Sequence, residues 1–284
     1  MPRNPAGTFT LSQQNLERVF AACRIPVPSE GLALFAIRGG LPTGAAKGWT
    51  RSIAITPAPV DHIHMRCALC LWDPAGGRVF AAAGSTVPYR DNVVKSAARK
   101  GSMRGRGTNQ LEPGYYTDLS KGEHLQGKRN GHQALRQTGS RLYRRSLTGV
   151  PYAAKAPLYY GNPYDNLHCG WNLDGKAAGF SSAGCMVVAG LPHCPRREDA
   201  GPNQGPWKTF HDLLYAAPQK TFPILLLPFA QAVRAAGGGE VLVFGSEGDA
   251  VTELQRKLAA RGIYRGRATG RLDARTYRAW KLPR

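Results

Sequence analysis

The sequence predicts a mainly β or α+β fold that ends in a small helical bundle. Between residues 30 and 230, short apolar runs alternate with glycine and proline, which is typical of short strands joined by turns. A glycine-rich stretch at residues 235–240 interrupts the chain, and helical spacing follows it. A chain of 284 residues can bury a sizeable core and form one or two domains.

The first predicted element is a helix over residues 12–23. Ser12 stands where a side-chain oxygen caps a helix, and Leu16, Val19 and Phe20 fall on one face. An amphipathic helix of this kind packs its apolar face on a sheet.

The β region contains a predicted hairpin and a short apolar strand. Residues 65–73 alternate in polarity, Pro74–Gly77 offer turn residues, and a second apolar run begins at Arg78. Farther along, Met186–Val188 is an apolar β-branched run, and residues 209–215 have helical spacing. The strand at Met186 would hold the residue before it on a rigid element.

The C-terminal region has two helical signals. Asp249 can cap a helix, Gly262 stands where a left-handed residue ends one, and Asp273 can begin a second. The apolar positions of the first helix follow i, i+3, i+7 spacing: Val251, Leu254 and Leu258. We expect a pair of short helices after the glycine-rich stretch.

Cys185 and His168 form the candidate catalytic pair. A cysteine thiol is mostly protonated at neutral pH, so a nucleophilic cysteine needs a neighbouring base such as histidine. Ser181, Ser182 and Gly184 are small, so a substrate carbonyl can approach the sulfur and meet backbone N–H donors there. The spacing predicts a nucleophile, its base and an oxyanion-binding loop.

The tetrad Ser182-Ala183-Gly184-Cys185, with His168 placed 17 residues before the cysteine, resembles the active-site motif of the L,D-transpeptidase catalytic domain (YkuD type). The segment Gln110–Tyr116 resembles a second conserved stretch of that domain. The resemblance implies a β-sandwich of mixed sheets and thiol acyl chemistry. Ala183 and Val187 replace residues common in the family, so it does not imply one particular substrate or acceptor.

A second resemblance covers the last forty or so residues. The pattern Gly-x-x-Gly-x-x-Val-x-x-Leu-Gln-x-x-Leu, followed by Gly-x-Tyr-x-Gly and Thr-x-x-Ala, is similar to a short helical peptidoglycan-binding module. Thr269-Gly270 replaces the usual Asp-Gly, so the binding face can differ. Together the resemblances imply a catalytic domain at residues 1–232 and a wall-binding module at residues 238–284.

The resemblance also implies roles for individual residues. Cys185 would attack a peptidoglycan stem peptide, with His168 as base and acid, and Ser182 and Gly184 would support the loop or the oxyanion. Ser181, Tyr116 and His132 are the candidate substrate-binding residues. His124 and His132 stand in a basic segment, for which a solvated loop is the simpler interpretation. No cofactor is expected.

A zinc site is one alternative for the histidines and cysteines at residues 62–70. His62, His64, Cys67 and Cys70 offer ligand types that zinc binds. The segment also has the alternation of a strand, which favours ordinary polar residues at a strand start. We expect no metal there.

The net charge of +20 at pH 7 predicts attraction to polyanions. No zinc-finger, basic-zipper or RNP motif is present, so acidic wall polymers fit better than nucleic acid. No apolar run is long enough to span a bilayer, and the N-terminus has no run of signal-peptide form. Because the two resemblances imply a protein of the cell wall, we expect action in the periplasm or wall after export, lysis or injection, with delivery machinery or an immunity protein as partners.

Two further functions stay open at this point. The chain could be a phage lysin or secreted antibacterial toxin that cuts peptidoglycan peptides, or a wall-binding protein whose cysteine is inert. Whether the acyl acceptor is water or an amine depends on how the cleft excludes water. The sequence does not determine that acceptor or the oligomeric state.

Overall fold

The computed structural model describes residues 7–44, 47–100, 106–151 and 156–282. Residues 1–6, which belong to the N-terminal stretch without a run of signal-peptide form, lie outside the described residues. The strands are β1 Phe9–Ser12, β2 Ala33–Arg38, β3 Gly40–Pro42, β4 Ser52–Pro57, β5 Cys67–Asp73, β6 Arg78–Ser85, β7 Thr108–Leu111, β8 Gly114–His124, β9 His132–Gln137, β10 Arg141–Ser146, β11 Leu158–Gly161, β12 Leu167–Cys169, β13 Met186–Val188 and β14 Thr221–Pro228. The helices are α1 Gln13–Ala22, α2 Arg90–Ala97, α3 Gly205–Ala216, α4 Phe229–Ala236, α5 Asp249–Ala260 and α6 Ala274–Lys281.

Eight strands form a sheet that closes on itself in the order β12-β13-β6-β5-β2-β14-β8-β9. The pairs β12–β13 and β14–β2 are parallel, and the other neighbours are antiparallel. Two three-stranded sheets accompany it, in the orders β1-β4-β3 and β11-β10-β7. The predicted mainly β or α+β class is confirmed, with the large sheet closed like a barrel.

The two faces of the closed sheet pack into different cores. Leu34 and Ala36 on β2 join an inner cluster to which all eight strands contribute. Phe35 and Ile37, the alternate residues, join an outer cluster covered by α1 and α4. Strand side chains alternate between faces, so each strand residue has a defined side. On β12, Leu167 and Cys169 lie in the inner core, which places His168 between them on the outer face.

Local signals fixed several helix ends as predicted. Ser12 Oγ accepts a hydrogen bond from the Asn15 N–H, and Asp273 accepts one from the Thr276 N–H. Gly262 has a φ of 69°, the left-handed conformation expected after α5. Helix α5 differs slightly, because Gly248 is its capping position and Asp249 its first residue.

The C-terminal segment from residue 237 onward packs directly on the rest of the chain. Val241 and Val243 are buried in the outer core, and Phe244 stacks on Tyr116 with ring centroids 5.3 Å apart. Leu142 of β10 shares a small core with residues of α5 and α6. The predicted linker at residues 235–240 is therefore the end of α4 and a glycine turn. The domain boundary at residues 232–238 stays a prediction, and the chain on its two sides is in contact.

One buried polar contact also joins α6 to Glu112, which lies between β7 and β8. The Tyr277 hydroxyl donates to Glu112 Oε2 over 2.8 Å, and Glu112 Oε1 accepts from Arg144 Nε over 3.1 Å. All three side chains are buried, and the Glu112 carboxylate accepts hydrogen bonds from side chains on α6 and β10.

No described helix is long and apolar enough to cross a membrane.

Candidate active site

The parallel pairing of β12 with β13 brings Cys185 beside the start of β12. Leu167 pairs with Met186, and the Met186 N–H donates to the Asn166 carbonyl over 2.9 Å. The Asn166 N–H in turn lies 3.3 Å from the Cys185 sulfur. Cys185 is half-buried, whereas the other five cysteines are fully buried, and all six are free thiols. Among the six cysteines, Cys185 is therefore the one residue that is partly exposed.

His168 lies next to this sulfur with a defined tautomer. Its Nδ1 lies 2.7 Å from the Cys169 carbonyl, which can only accept, so Nδ1 carries the proton and Nε2 has a lone pair. The ring is 1% exposed. One side-chain atom each of His168, His124 and Cys185 lie within 4.8 Å of one another. The two predicted catalytic residues are thus brought together, with a separation that allows contact once substrate binds.

A cluster of three histidines surrounds this position. The His124 ring stacks on the His168 ring, with centroids 3.8 Å apart and planes 9° from parallel. His132 pairs with His124 across the β8–β9 hairpin, and its ring centroid lies 5.4 Å from that of His168. The sequence favoured a solvated loop for His124 and His132, but His132 is 1% exposed. One sequence signal could have indicated this pairing: His124 and His132 flank a glycine-containing segment, as two residues paired across a hairpin do.

His132 also borders a cavity. Its Nδ1 donates to the Asn130 carbonyl over 2.9 Å, and among the described atoms its buried Nε2 has no hydrogen-bond partner. A cavity of about 710 Å³ opens beside it, with Glu123 and Arg136 on its walls. His132 therefore lies beside a cavity that a ligand could enter, and its substrate-binding role stays a prediction.

The electrostatic surroundings keep both members of the pair neutral. Burial raises the pKa of the Cys185 thiol well above its usual range, and the Asp165 carboxylate raises it further, against the Asn166 N–H. Burial, followed by repulsion from His124 and His132, lowers the pKa of His168 well below 6.5. The resting pair is thus a thiol and a neutral imidazole, and not a preformed ion pair.

The loop before Cys185 is held by Ser182. Its hydroxyl donates to the Cys185 carbonyl over 2.7 Å and accepts from the Gly184 N–H at 3.2 Å. The Ser182 carbonyl accepts from the Tyr89 N–H and from Asn92 Nδ2. Ser182 therefore supports the loop, and the Gly184 N–H is already bonded to it. The Cys185 N–H, which lies against its own sulfur, is the amide left to face an oxyanion.

Gly184 allows a close approach that no other residue permits. Its φ is 151°, and a Cβ there would lie 2.6 Å from Asp165 Oδ1. Burial raises the pKa of Asp165 to about 7, although the Asn109 side chain and the charges of Arg141 and Arg145 oppose the shift. Sequence analysis missed Asp165, because a lone aspartate three residues before the histidine has no distinctive pattern.

Of the other two predicted substrate-binding residues, Tyr116 is buried, whereas Ser181 is exposed and its role stays a prediction. Tyr116 is in the inner core of the barrel, with its hydroxyl donating to the Glu112 carbonyl over 2.9 Å, so it packs instead of lining a cleft. Adjacent Tyr115 has the opposite side-chain direction, and the sequence pattern could not distinguish the two faces. Ser181 is exposed, and its N–H donates to the Gly170 carbonyl over 2.8 Å.

The proximity of His124, His168 and Cys185 also meets a first requirement for a metal site. Each metal-bound imidazole must place the ion in its own ring plane, and zinc prefers tetrahedral ligands. Because the two rings are stacked nearly parallel, an ion in one ring plane lies outside the other. His124 Nδ1 also accepts from Asn166 Nδ2 over 3.0 Å. The arrangement favours proton transfer over metal binding.

The earlier zinc candidate has other partners. His62 Nδ1 lies 2.9 Å from the Pro88 carbonyl, and His64 Nδ1 lies 2.7 Å from Asp61 Oδ2. Cys67 Sγ lies 3.4 Å from Thr86 Oγ1. His62 and His64 thus bond as ordinary polar residues shortly before the start of β5, which is the interpretation that the sequence favoured.

No protein-family model, curated protein or solved structure matches this chain. Function is therefore inferred from the arrangement of the site residues.

Proposed function

We propose that this protein is a cysteine-dependent acyl transferase that acts on peptidoglycan stem peptides through a thioacyl enzyme at Cys185. The observation that carries the proposal is the placement of the thiol of a half-buried cysteine beside a buried histidine of fixed tautomer. The motif resemblance supplies the substrate class. Water or the amine of another stem takes the acyl group, giving L,D-carboxypeptidase or L,D-transpeptidase activity.

In the first step, His168 Nε2 takes the thiol proton while the Cys185 sulfur attacks the carbonyl carbon between diaminopimelate and D-alanine. The carbonyl oxygen becomes an oxyanion that the Cys185 N–H can stabilise. The C–N bond then breaks, and the imidazolium returns its proton to the departing D-alanine amine. In the second step, the same histidine deprotonates the incoming water or amine as it attacks the thioester, the C–S bond breaks, and the imidazolium returns the proton to the departing Cys185 thiolate.

Because the resting pair is neutral, the thiol proton has to move to His168 as the substrate reacts. His168 has a low pKa, so it is available as a base at neutral pH. His168 has to hold the extra proton only while the substrate occupies the site, after the proton has left the thiol. His124, stacked face to face on the ring, fixes its orientation.

The same proposal covers the wider assignments. The closed sheet, with its parallel and antiparallel pairs, would correspond to the mixed-sheet sandwich of the L,D-transpeptidases, and residues 238–284 to the wall-binding module. The proposed partner is peptidoglycan, which the protein would bind in the periplasm or in the wall. Delivery machinery or an immunity protein would accompany a role as an antibacterial toxin.

Mass spectrometry of muropeptides after incubation with the purified protein tests the proposal. We expect tripeptide stems or 3–3 crosslinked dimers, and no such product with Cys185→Ala. Cys23→Ala is the matched control, because that thiol lies in the distant outer core and should leave the products unchanged. His168→Ala should slow acylation by about 10²- to 10⁴-fold.

The products also separate the alternatives. Split crosslinks would indicate a lytic peptidase, and unchanged muropeptides with intact wall binding would indicate an inert cysteine. Full activity of Cys185→Ala would disprove the proposed nucleophile.

A further inference from the structure

A groove lies where the C-terminal segment meets the barrel. It encloses about 730 Å³. Tyr115 and Thr117 of β8, together with Tyr160 of β11, line one side. Phe244 lies beside Tyr160 on that side, and Thr269 with residues 271–275, which lead into α6, lines the other. Because the two walls come from distant parts of the chain, neither part forms the groove alone.

The groove has an aromatic wall that reaches solvent. Tyr160 is 49% exposed, and its ring centroid lies 6.1 Å from that of Phe244. Phe244 is held from behind by its stacking on Tyr116. Aromatic faces of this kind pack against the C–H faces of sugar rings, and the tyrosine hydroxyl can bond to sugar hydroxyls.

The opposite wall carries charges of both signs. Arg271 Nε lies 3.4 Å from Glu247 Oε1, and both side chains are more than half exposed. Arg275 is exposed on the first turn of α6, and Asp273 caps that helix. Carboxylates accept hydrogen bonds from hydroxyl groups, and arginine binds carboxylates with two parallel hydrogen bonds. The wall therefore suits a ligand that has many hydroxyls and some carboxylates.

We infer that this junction groove binds an oligosaccharide that carries carboxylate substituents, such as a peptide-free glycan strand of peptidoglycan, in which the lactyl carboxylates are free. The identity of the polymer rests on the proposed function, whereas the oligosaccharide class rests on the groove. Nucleic acid fits poorly, because Glu247 and Asp273 would face its phosphates. The inference differs from a tethered module, since Tyr115 and Thr117 of the barrel and Tyr160 of β11 line the groove together with the C-terminal segment.

Calorimetric titration of the full chain with soluble, peptide-free glycan strands tests the inference. Tyr160→Ala should weaken binding about two- to tenfold, the range for one stacked ring, and Tyr160→Phe should retain most of the affinity. Tyr164→Ala is the matched control, since Tyr164 is 69% exposed and does not line the groove.

The second wall is tested in the same way. Arg275→Gln should weaken binding about tenfold or more, and less so for an uncharged chito-oligosaccharide. Arg278→Gln, an exposed change on the same helix outside the groove, is its control. Thermal unfolding by circular dichroism checks that each variant is folded.

Unchanged affinity in both Tyr160→Ala and Arg275→Gln would overturn the inference. A loss with Arg275→Gln alone would place the site on the C-terminal segment only and would also refute a junction site. Cys185→Ala should bind glycan normally. Glycan binding by a protein that forms no muropeptide products would therefore refute the catalytic proposal while leaving the groove intact.

Discussion

Replacing Asp165 with asparagine should stabilise the fold in a pH-dependent way. In the folded protein, burial raises the pKa of this carboxyl from 3.8 to about 7. The folded state therefore binds the proton more tightly than the unfolded chain between these values, and stability falls as the pH rises through this window. Asparagine has a similar shape but carries no charge, so the variant should lose this dependence.

The magnitude follows from the shift. At 1.36 kcal/mol per unit, a rise from 3.8 to about 7 corresponds to at most about 4 kcal/mol. Asp165 is only half-buried, so solvent screens part of the charge, and we expect about 2 kcal/mol. The Asn109 side chain that bonds Asp165 can still donate to the new amide oxygen.

Urea unfolding of both proteins at several pH values measures this effect. The variant and the wild type should unfold with similar free energies at about pH 4, and the difference should grow to about 2 kcal/mol by about pH 8. A second readout is the rate at which iodoacetamide alkylates Cys185. That rate should increase in the variant above about pH 7, because the Asp165 carboxylate raises the pKa of the thiol. A stability difference that stays constant across this pH range would refute the reasoning.

Three further outcomes are expected. Gly184→Ala should lower kcat/KM on a soluble muropeptide about 10²-fold, because the new Cβ displaces the loop or Asp165. Unchanged kinetics would show that the close approach of Gly184 to Asp165 is dispensable. Tyr277→Phe should lower the free energy of unfolding by about 1–3 kcal/mol, since it removes a buried donor from Glu112; the test is urea unfolding, with exposed Tyr164→Phe as control. Raised salt should release the protein from sacculi, because its net charge is +20, but should scarcely change turnover of a short muropeptide; parallel salt curves would instead place the charge effect at the site.

Local sequence signals predicted the elements that depend on neighbouring residues. The Ser12 cap, the hairpin turn after Asp73 and the strand after Cys185 each have a short pattern with a direct physical cause. The structure has α1 at Gln13–Ala22, the β5–β6 pair and β13 at Met186–Val188. The spacing of His168 and Cys185 also selected two residues that the fold brings together.

Long-range register determined what the sequence could not show. The pairing of His124 with His132 and the parallel pairing of β12 with β13 place the histidine cluster on the outer face of the sheet. A one-residue slip in either pair would turn those side chains to the other face, and no local pattern fixes such a register. The same limit explains Tyr116, whose polar hydroxyl is satisfied inside the core by a backbone carbonyl.

The protonated state of Cys185 has a consequence for how the protein withstands oxidants. Peroxides and disulfides react with thiolates, so a thiol with a raised pKa is oxidised slowly to sulfenic acid or mixed disulfide. Many enzymes with a permanently ionised cysteine need a reducing environment to stay active. Under the proposed mechanism, the sulfur becomes reactive only while His168 removes its proton, so the resting protein should keep the Cys185 thiol reduced in an oxidising environment.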